Sequence, residues 1–431
     1  MAHTASDTNR SFLFLQGPHG PFFHQLAKAL AAAGAKTWRV GFNAGDRAFW
    51  PTRSSYLRFD QPIDEWPEYF EQIAVRHEIT DIVLYGDTRP IHAEAVTVAK
   101  GLGLQVHVFE EGYLRPYWVT YERDGSNGNS PLIGISLSQM QRAQDDHLLD
   151  KPIPPGHWGD MRQHIFYGAV YHWFVMFANK QYRHFKPHRA LPVNKEFLLY
   201  FKRLILMPLH AAARAIATRR IRSGHFPYHL VLLQFEHDSS FQMHGQFETQ
   251  SDFLHHVIKG FARGAPNHHH LVFKAHPLEN GRAPLNADIR RFATNFKVTD
   301  RIHYVRGGKL APLLDDARSA VTVNSTAGQQ ALWRGLPLRN FGACVYDKTS
   351  LVSRQPIAEF FAEPSCPDPK SYSAFRDFLL ATSQLPGGFY SARGRQQLLR
   401  QVADLMLRAD DPYALPAVQT EADKQQLRVV K

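Results

Sequence analysis

The sequence AVTVNSTAGQQALWR, residues 320–334, places a short apolar strand directly before a polar turn and a helix. The same order recurs where apolar runs at His229–Gln234, His270–Lys274 and Ile302–Val305 each precede a polar loop, and Leu338–Phe341 follows as a last strand. Short apolar strands that alternate with helices predict a parallel sheet with right-handed crossover connections. This stretch therefore predicts a Rossmann-like, doubly wound α/β domain.

The N-terminal part of the chain shows the same alternation, with predicted strands at Phe12–Leu15, Thr37–Phe42, Asp81–Tyr85 and Val106–Phe109. A length of 431 residues suits two such domains better than one. Two doubly wound domains that face each other form the GT-B architecture, which binds its ligand in the cleft. The predicted fold class is therefore α/β and GT-B-like, with two Rossmann-like domains, an interdomain cleft and a basic helical insertion.

The predicted insertion is aromatic and strongly basic. From Lys180 to Arg222 the chain has eleven Lys or Arg residues and one acid, Glu196, which is nearly the whole excess in a net charge of +11. Such a concentration of positive charge suits anionic lipid, an acidic glycan or nucleic acid. Because no nucleic-acid-binding module is recognisable, we do not expect nucleic acid as a partner. The predicted boundaries are 1–150 for an acceptor-side domain, 151–226 for the insertion with a candidate membrane contact, 227–390 for a nucleotide-sugar-binding domain, and 391–431 for a C-terminal helix and tail.

The cysteine content and the hydropathy of the sequence indicate the cellular compartment of the protein. Two cysteines, Cys344 and Cys366, cannot form a disulfide framework or a cysteine metal site, which favours a reducing cytoplasm. The sequence has neither a secretory signal pattern nor an apolar run long enough to predict a transmembrane helix. We therefore expect a cytoplasmic protein.

Three polar clusters follow strands of the C-terminal half, at the sheet edge where open parallel sheets bind ligands. They are Asn324, Ser325, Thr326 and Gly328 after one strand, Lys274, His276 and Pro277 after another, and Gln234 to Asp238 after a third. Hydroxyls at a helix N-terminus with a neighbouring lysine and histidine can hold a phosphate, whereas the alternatives are an ordinary N-cap and a structural histidine. A carboxylate at Asp238 can act as nucleophile or base at a sugar's anomeric carbon, or it is a solvated loop acid.

The fourth predicted N-terminal strand ends in Glu110, Glu111 and Gly112, followed by Arg115. Two adjacent carboxylates can raise the pKa of one of them and supply acid–base chemistry, although ordinary loop acids fit this pattern equally well.

Weaker signals follow two other N-terminal strands. Gly17 and His19 lie in a glycine turn that lacks the full dinucleotide-binding pattern, and Asp87 and Arg89 follow the third strand. Asp315-Asp316 predicts a solvated helix face rather than a metal site, so we expect neither a metal nor another cofactor.

Seven motifs occur in order between about Phe12 and Gly342: LQGPHGPFF, FNAGDRAFW, GDTRPIHAEA, FEEGYLRP, Q-x-x-x-D-S-S, KAHP and TVNSTAGQQAL. Together they resemble the KpsS-type capsule polysaccharide proteins, a β-Kdo transferase family of Gram-negative capsule assembly. The resemblance implies transfer of β-Kdo from CMP-Kdo to a phosphatidylglycerol-type lipid, which begins the Kdo linker of the capsule. The family has also been described as an export protein, so a non-catalytic export or assembly factor that binds lipid-linked glycan is the rival hypothesis.

The resemblance also implies roles for individual residues. Asp238 matches the nucleophile of a retaining reaction, with Glu236 as its competitor and a single displacement with inversion as the alternative. The remaining matches are His276 and Pro277 with a CMP-binding pair, Ser325 and Thr326 with the donor phosphate or carboxylate, and Glu110, Glu111 and Gly112 with the acceptor side.

CMP-Kdo has a single phosphate on its leaving group, so no divalent metal is required to hold a diphosphate. The expected partners are CMP-Kdo, phosphatidylglycerol or lysophosphatidylglycerol, the inner membrane surface and other capsule assembly proteins. Trp173, Phe174 and Phe177 are expected to enter the membrane interface beside the cationic residues, with packing on the core as the alternative. The expected location is peripheral, on the cytoplasmic face of the inner membrane.

Overall fold

A computed structural model describes residues 10–146, 161–185, 209, 211–235, 239–276 and 284–414. The chain divides into two compact units. The first comprises Met1–Pro131, Asp145–Ala190 and Asp377–Lys431, and the second comprises Leu132–Gln144 and Leu191–Arg376.

Twelve strands and fifteen helices are named here from the described residues. The strands are β1 Ser11–Phe14, β2 Lys36–Gly41, β3 Tyr56–Arg58, β4 Asp81–Tyr85, β5 Gln105–Glu111, β6 Trp118–Arg123, β7 Tyr228–Leu232, β8 His270–Lys274, β9 Ile302–Val305, β10 Ser319–Thr322, β11 Leu338–Asn340 and β12 Gln384–Pro386. The helices are α1 Phe22–Ala32, α2 Ala44–Ala48, α3 Trp66–Arg76, α4 Pro90–Gly101, α5 Leu137–Asp145, α6 Met161–Phe177, α7 211–222, α8 Ser239–His244, α9 Gln250–Gly264, α10 Leu285–Asn295, α11 Ala311–Asp315, α12 Gly328–Trp333, α13 Ile357–Ala362, α14 Pro369–Thr382 and α15 Ala392–Leu407.

The first unit is built on a seven-stranded sheet in the order β12-β6-β5-β4-β1-β2-β3. Strands β1 to β5 are parallel, whereas β6 and β12 are antiparallel to their neighbours. Alternate side chains of β1 serve the two faces: Phe12 and Phe14 pack in the core with α1 and α15, and Leu13 packs in the core with α3 and α4. Helices therefore cover both faces of this sheet, as in a doubly wound fold.

The second unit contains a five-stranded parallel sheet in the order β11-β10-β7-β8-β9. Its core joins strand residues such as Val231 and Phe273 to the apolar face of α9. Helix α9 begins with a capping box in which Thr249 and Asp252 satisfy each other's backbone N–H groups. The prediction of two Rossmann-like α/β units is confirmed.

The observed division differs from the predicted boundaries in two places. Residues 377–431 belong to the first unit, because β12 pairs with β6 (Gln384 beside Thr120) and α15 packs in the core with α1. The predicted insertion, 151–226, is divided, since α6 belongs to the first unit and α7 to the second.

In the described ranges, no helix has the length and apolar character needed to cross a membrane.

Candidate functional site

The carboxyl ends of β7, β8 and β10 bring the predicted donor-side residues to one edge of the second sheet. Gln234, just after β7, donates from Nε2 to Oδ1 of Asn324 at 2.8 Å, and the Asn324 backbone N–H donates to Gln234 Oε1 at 3.0 Å. Asn324 Nδ2 also donates to the carbonyl oxygen of Ser240 at 2.7 Å. These bonds show that Gln234 and Asn324 fix the loops after β7 and β10 against each other.

Lys274 ends β8 and is buried, with 4% of its surface exposed. Within the described part of the chain, its ammonium group donates only to the carbonyl oxygen of Ala275, at 3.1 Å. Burial, together with the nearby positive charge of Arg214, lowers the pKa of Lys274 to about 8. Since most of the ammonium groups stay protonated at neutral pH, this edge holds a buried cation suited to an anionic ligand.

His276 is partly exposed, and its ring centroid lies 4.4 Å from that of Phe235. Three other residues proposed from the sequence, Pro277, Glu236 and Asp238, lie outside the described residues. The nucleophile role of Asp238 therefore stays a prediction.

Ser325 and Thr326 form a turn that leads into the short helix α12, and both are partly exposed. The Ser325 hydroxyl accepts from the backbone N–H of Ala327 at 3.2 Å, a local turn contact rather than a helix N-cap. Tyr346 donates its hydroxyl hydrogen bond to the Ser325 carbonyl oxygen. A Cβ atom on Gly328 would lie 2.6 Å from the Tyr346 hydroxyl oxygen, which explains the glycine. Sequence reasoning missed Tyr346, because no motif links it to the turn.

Glu110 and Glu111 end β5 in the first unit, at the carboxyl edge next to β4. Burial is the main cause that raises the pKa of Glu110 to about 7, and the neighbouring charge of Glu111 adds to it. The Glu111 backbone N–H donates to Glu110 Oε1 at 3.0 Å, and Tyr85 donates to Glu111 Oε1 at 3.4 Å. A carboxyl group that titrates near neutral pH can both accept and donate a proton, as an acid–base catalyst must.

Close packing of neighbouring atoms explains the two predicted acceptor-side glycines. A Cβ atom on Gly17 would lie 2.5 Å from the Phe23 ring, and one on Gly112 would lie 2.3 Å from the Trp118 carbonyl oxygen. Arg115 donates from Nε to the Gly112 carbonyl oxygen at 3.2 Å. Gly112 and Arg115 therefore shape the turn that follows Glu111.

The other acceptor-side candidates contact neighbouring side chains and backbone. Asp87 is buried and accepts from the Ser126 N–H at 3.0 Å and from Asn129 Nδ2 at 3.1 Å, so it holds the turn after β6. The Arg89 guanidinium lies 5.8 Å from the centroid of the Tyr85 ring. His19 stacks on Tyr171 of α6 with ring centroids 4.2 Å apart.

Two buried carboxylates in the first unit were missed by sequence reasoning. Asp46 accepts from Gln16, Arg39 and the Tyr171 hydroxyl, and it thereby anchors α6 to the first sheet. Glu122 accepts from the hydroxyls of Tyr113, Ser130 and Tyr413, and burial raises its pKa to about 7. Asp46 lies within the FNAGDRAFW motif, which was the available signal, whereas nothing in the local sequence of Glu122 distinguishes it.

Comparison with known proteins gives concordant matches. The model of the family described as "Capsule polysaccharide biosynthesis protein" matches residues 80–390. The chain belongs to this capsule polysaccharide biosynthesis family. It is 32% identical to the capsule polysaccharide modification protein LipB of Neisseria meningitidis serogroup A over 394 residues, covering 89% of this chain and 93% of LipB. It is 30% identical to the capsule polysaccharide export protein KpsS of Escherichia coli over 391 residues, covering 89% and 97%.

Among solved structures, this protein is similar to the KpsC β-Kdo 2,7 transferase of Thermosulfurimonas dismutans. The TM-score is 0.44 and the sequence identity 12%, with 92% of this chain and all of the KpsC chain covered. Because that likeness is weak, the family assignment rests on the sequence relatives. The predicted membership of the KpsS-type family is confirmed.

Proposed function

We propose that this protein transfers β-Kdo from CMP-Kdo to a phosphatidylglycerol-type lipid. The observation that carries the proposal is the buried cation Lys274 at the carboxyl edge of the second sheet, next to the partly exposed His276. Family membership supports a capsule role, and the Kdo chemistry is what the resemblance of the quoted motifs to the KpsS-type family implies.

The donor phosphate would gain negative charge as the sugar departs, and this edge would stabilise that charge. Lys274 supplies the positive charge, and the partly exposed Ser325 and Thr326 supply hydroxyl groups at the turn before α12. Asp238 would then capture the oxocarbenium-like sugar, and a second displacement would retain its configuration. Glu110 is our candidate for the acid–base group on the acceptor side, because its pKa lies near 7.

A lipid acceptor requires contact with a membrane surface, and α6 offers an apolar face for it. One side of this helix packs on the first unit through Tyr167 and Tyr171, which contact Gly20 and Gly45. The other side exposes apolar side chains at helical spacing: Ile165, Phe166, Trp173, Met176 and Phe177. Phe174, the third aromatic residue proposed from the sequence, is only partly exposed. An exposed apolar stripe with tryptophan is typical of helices that lie in the membrane interface.

The test is a transfer assay with the purified full chain, CMP-Kdo and short-chain phosphatidylglycerol, with glycolipid detected by mass. Lys274→Gln should lower transfer by a factor of about a hundred, as loss of one preorganised charge contact does. Lys370→Gln, at an exposed lysine on α14, is the matched control. Asp238→Ala should abolish transfer while CMP binding survives, and an active Asp238→Ala protein would point to Glu236. Absence of both glycolipid and CMP release from the unmodified chain would refute the proposal.

The name of the Escherichia coli relative, an export protein, favours a second candidate function. In that case the protein would bind lipid-linked glycan during capsule assembly or export without turnover. Capsule production in cells that carry Asp238→Ala separates the two hypotheses. An export factor keeps its capsule in this variant, whereas a transferase loses it at unchanged protein level and membrane binding.

A further inference from the structure

A pocket of about 480 Å³ lies in the second unit. Its lining comes from α7 and from the segment after β9, and includes Arg214, Thr218, Arg219, Arg222, Lys309 and Pro312. The volume is in the range of small-ligand sites. Neither Gln234 nor Asn324 is among the pocket's lining residues.

Four cations line this pocket, and only one of them is paired among the residues that the structure describes. Arg222 forms an ion pair with Asp316, with Nε and Oδ2 2.9 Å apart. The side chains of Arg214, Arg219 and Lys309 make no hydrogen bond or ion pair with any described residue. Cations gathered around one cavity repel one another, so a bound anion would stabilise the arrangement.

Arg214 is positioned by the backbone of the loop after β9. Gly308 has a φ of +86°, and a Cβ atom there would lie 2.3 Å from Cδ of Arg214. The glycine therefore lets the arginine side chain cross this loop closely. The charge of Arg214 also contributes to the lowered pKa of Lys274, which places the arginine within electrostatic range of that lysine.

The chemistry of the lining suits a phosphate ester, because arginine presents paired N–H donors that match phosphate oxygens. Two exposed apolar side chains close in sequence to the α7 residues of the lining favour a lipid as the source of that phosphate. Leu209, which precedes α7, is 66% exposed, and Ile216 within α7 is 68% exposed. We propose that this pocket binds the phosphate group of an anionic glycerophospholipid headgroup. The proposal deepens the membrane part of the proposed function and rests on it, but it does not require sugar transfer.

The experiment measures binding of the full chain to phosphatidylcholine vesicles with and without phosphatidylglycerol. Arg214→Gln and Lys309→Gln should each weaken the phosphatidylglycerol-dependent part about fivefold, the contribution of one cation near an anionic surface. Arg290→Gln is the matched control, because Arg290 is an exposed cation on α10 of the same unit that does not line the pocket. Soluble glycerol phosphate should compete with vesicles for the unmodified chain and not for Arg214→Gln. Thermal melting of each variant verifies that it folds, and Lys309, exposed in a loop, is the site least expected to disturb folding.

Two results would overturn the inference. Equal weakening by all three substitutions would mean that diffuse surface charge, and not the pocket, attracts the membrane. Calorimetric binding of glycerol phosphate that depends on Arg214 and Lys309, with vesicle binding unchanged in both variants, would identify a soluble phosphate compound instead of a lipid. Neither readout uses transfer of Kdo, so failure of the proposed reaction stays distinguishable from failure of this site.

Discussion

Replacing Glu110 with glutamine is expected to stabilise the first unit above neutral pH and to remove an acid–base group. Burial raises the pKa of Glu110 from 4.5 to about 7 in the folded chain. Below the lower value the carboxyl is protonated in both states and adds no pH dependence. Between those two pKa values the carboxyl ionises in the unfolded chain while it stays protonated in the folded chain, so the free energy of unfolding decreases as the pH rises. Above about pH 7 the carboxyl is ionised in both states, and the decrease stays constant.

The size of the effect follows from that difference of about 2.5 pH units, at about 1.36 kcal/mol each, which gives an upper limit of about 3 kcal/mol. Glu110 is partly exposed, so solvent screening reduces this, and we expect Glu110→Gln to add about 1–3 kcal/mol of unfolding free energy at pH 8.5. At pH 4 the two proteins should unfold alike, since the carboxyl is then neutral in both states.

Denaturant unfolding at both pH values measures the change, and Glu71→Gln, at an exposed site on α3, is the matched control. The transfer assay supplies the second readout, in which loss of an acid–base group lowers the rate by about a hundredfold or more. In Glu110→Gln, the inflection near pH 7 in the dependence of the transfer rate on pH should also disappear. Equal stabilisation at pH 4 and pH 8.5 would refute the assigned pKa, and an unchanged rate profile would refute the catalytic role.

Three further outcomes are expected. Gly328→Ala should lower the free energy of unfolding by about 1–3 kcal/mol, because the added methyl group would clash with Tyr346. The second substitution Tyr346→Phe should restore part of that stability, whereas full stability of Gly328→Ala alone would contradict the clash. Burial lowers the pKa of His229 to about 3, so the second unit should lose stability as the pH falls below about 6.5, and a denaturation midpoint that is the same at pH 7 and pH 5 would contradict this. Trp173→Ser should weaken sedimentation with anionic vesicles roughly threefold to tenfold, whereas Trp333→Ser, at a comparably exposed site, should not; equal effects would remove the role of α6.

Local pattern predicted most of the sheet strands. Asp81–Tyr85, His270–Lys274 and Ile302–Val305 were placed to the residue, because an apolar run between polar loops has few alternatives to a buried parallel strand. Strands β3, β6 and β12 were not predicted. Trp118–Arg123 carries a buried glutamate and an arginine that interrupt the apolar pattern, and the three-residue β12 has no signal of its own.

The sequence predicted which polar residues of the candidate site follow the strands. It predicted few of the contacts between their side chains. The Gln234 and Asn324 pair follows from both residues ending neighbouring strands, although the sequence did not reveal that they bond to each other. The raised pKa of Glu110 depends on the surroundings that bury it, and the cations around the pocket come together only when α7 lies beside the loop after β9.

By itself the sequence determined the α/β class, the two doubly wound units, the family and the strand ends that carry polar residues. Each of these depends on the order and spacing of residues that are close together in the sequence, because that spacing sets the local secondary structure. Tertiary structure alone decided that the C-terminal segment joins the first unit, that Asp46 anchors α6, and that Arg214 acts on the charge of Lys274. Burial and electrostatic fields are set by neighbours in space, and here those neighbours lie tens to hundreds of residues apart along the chain.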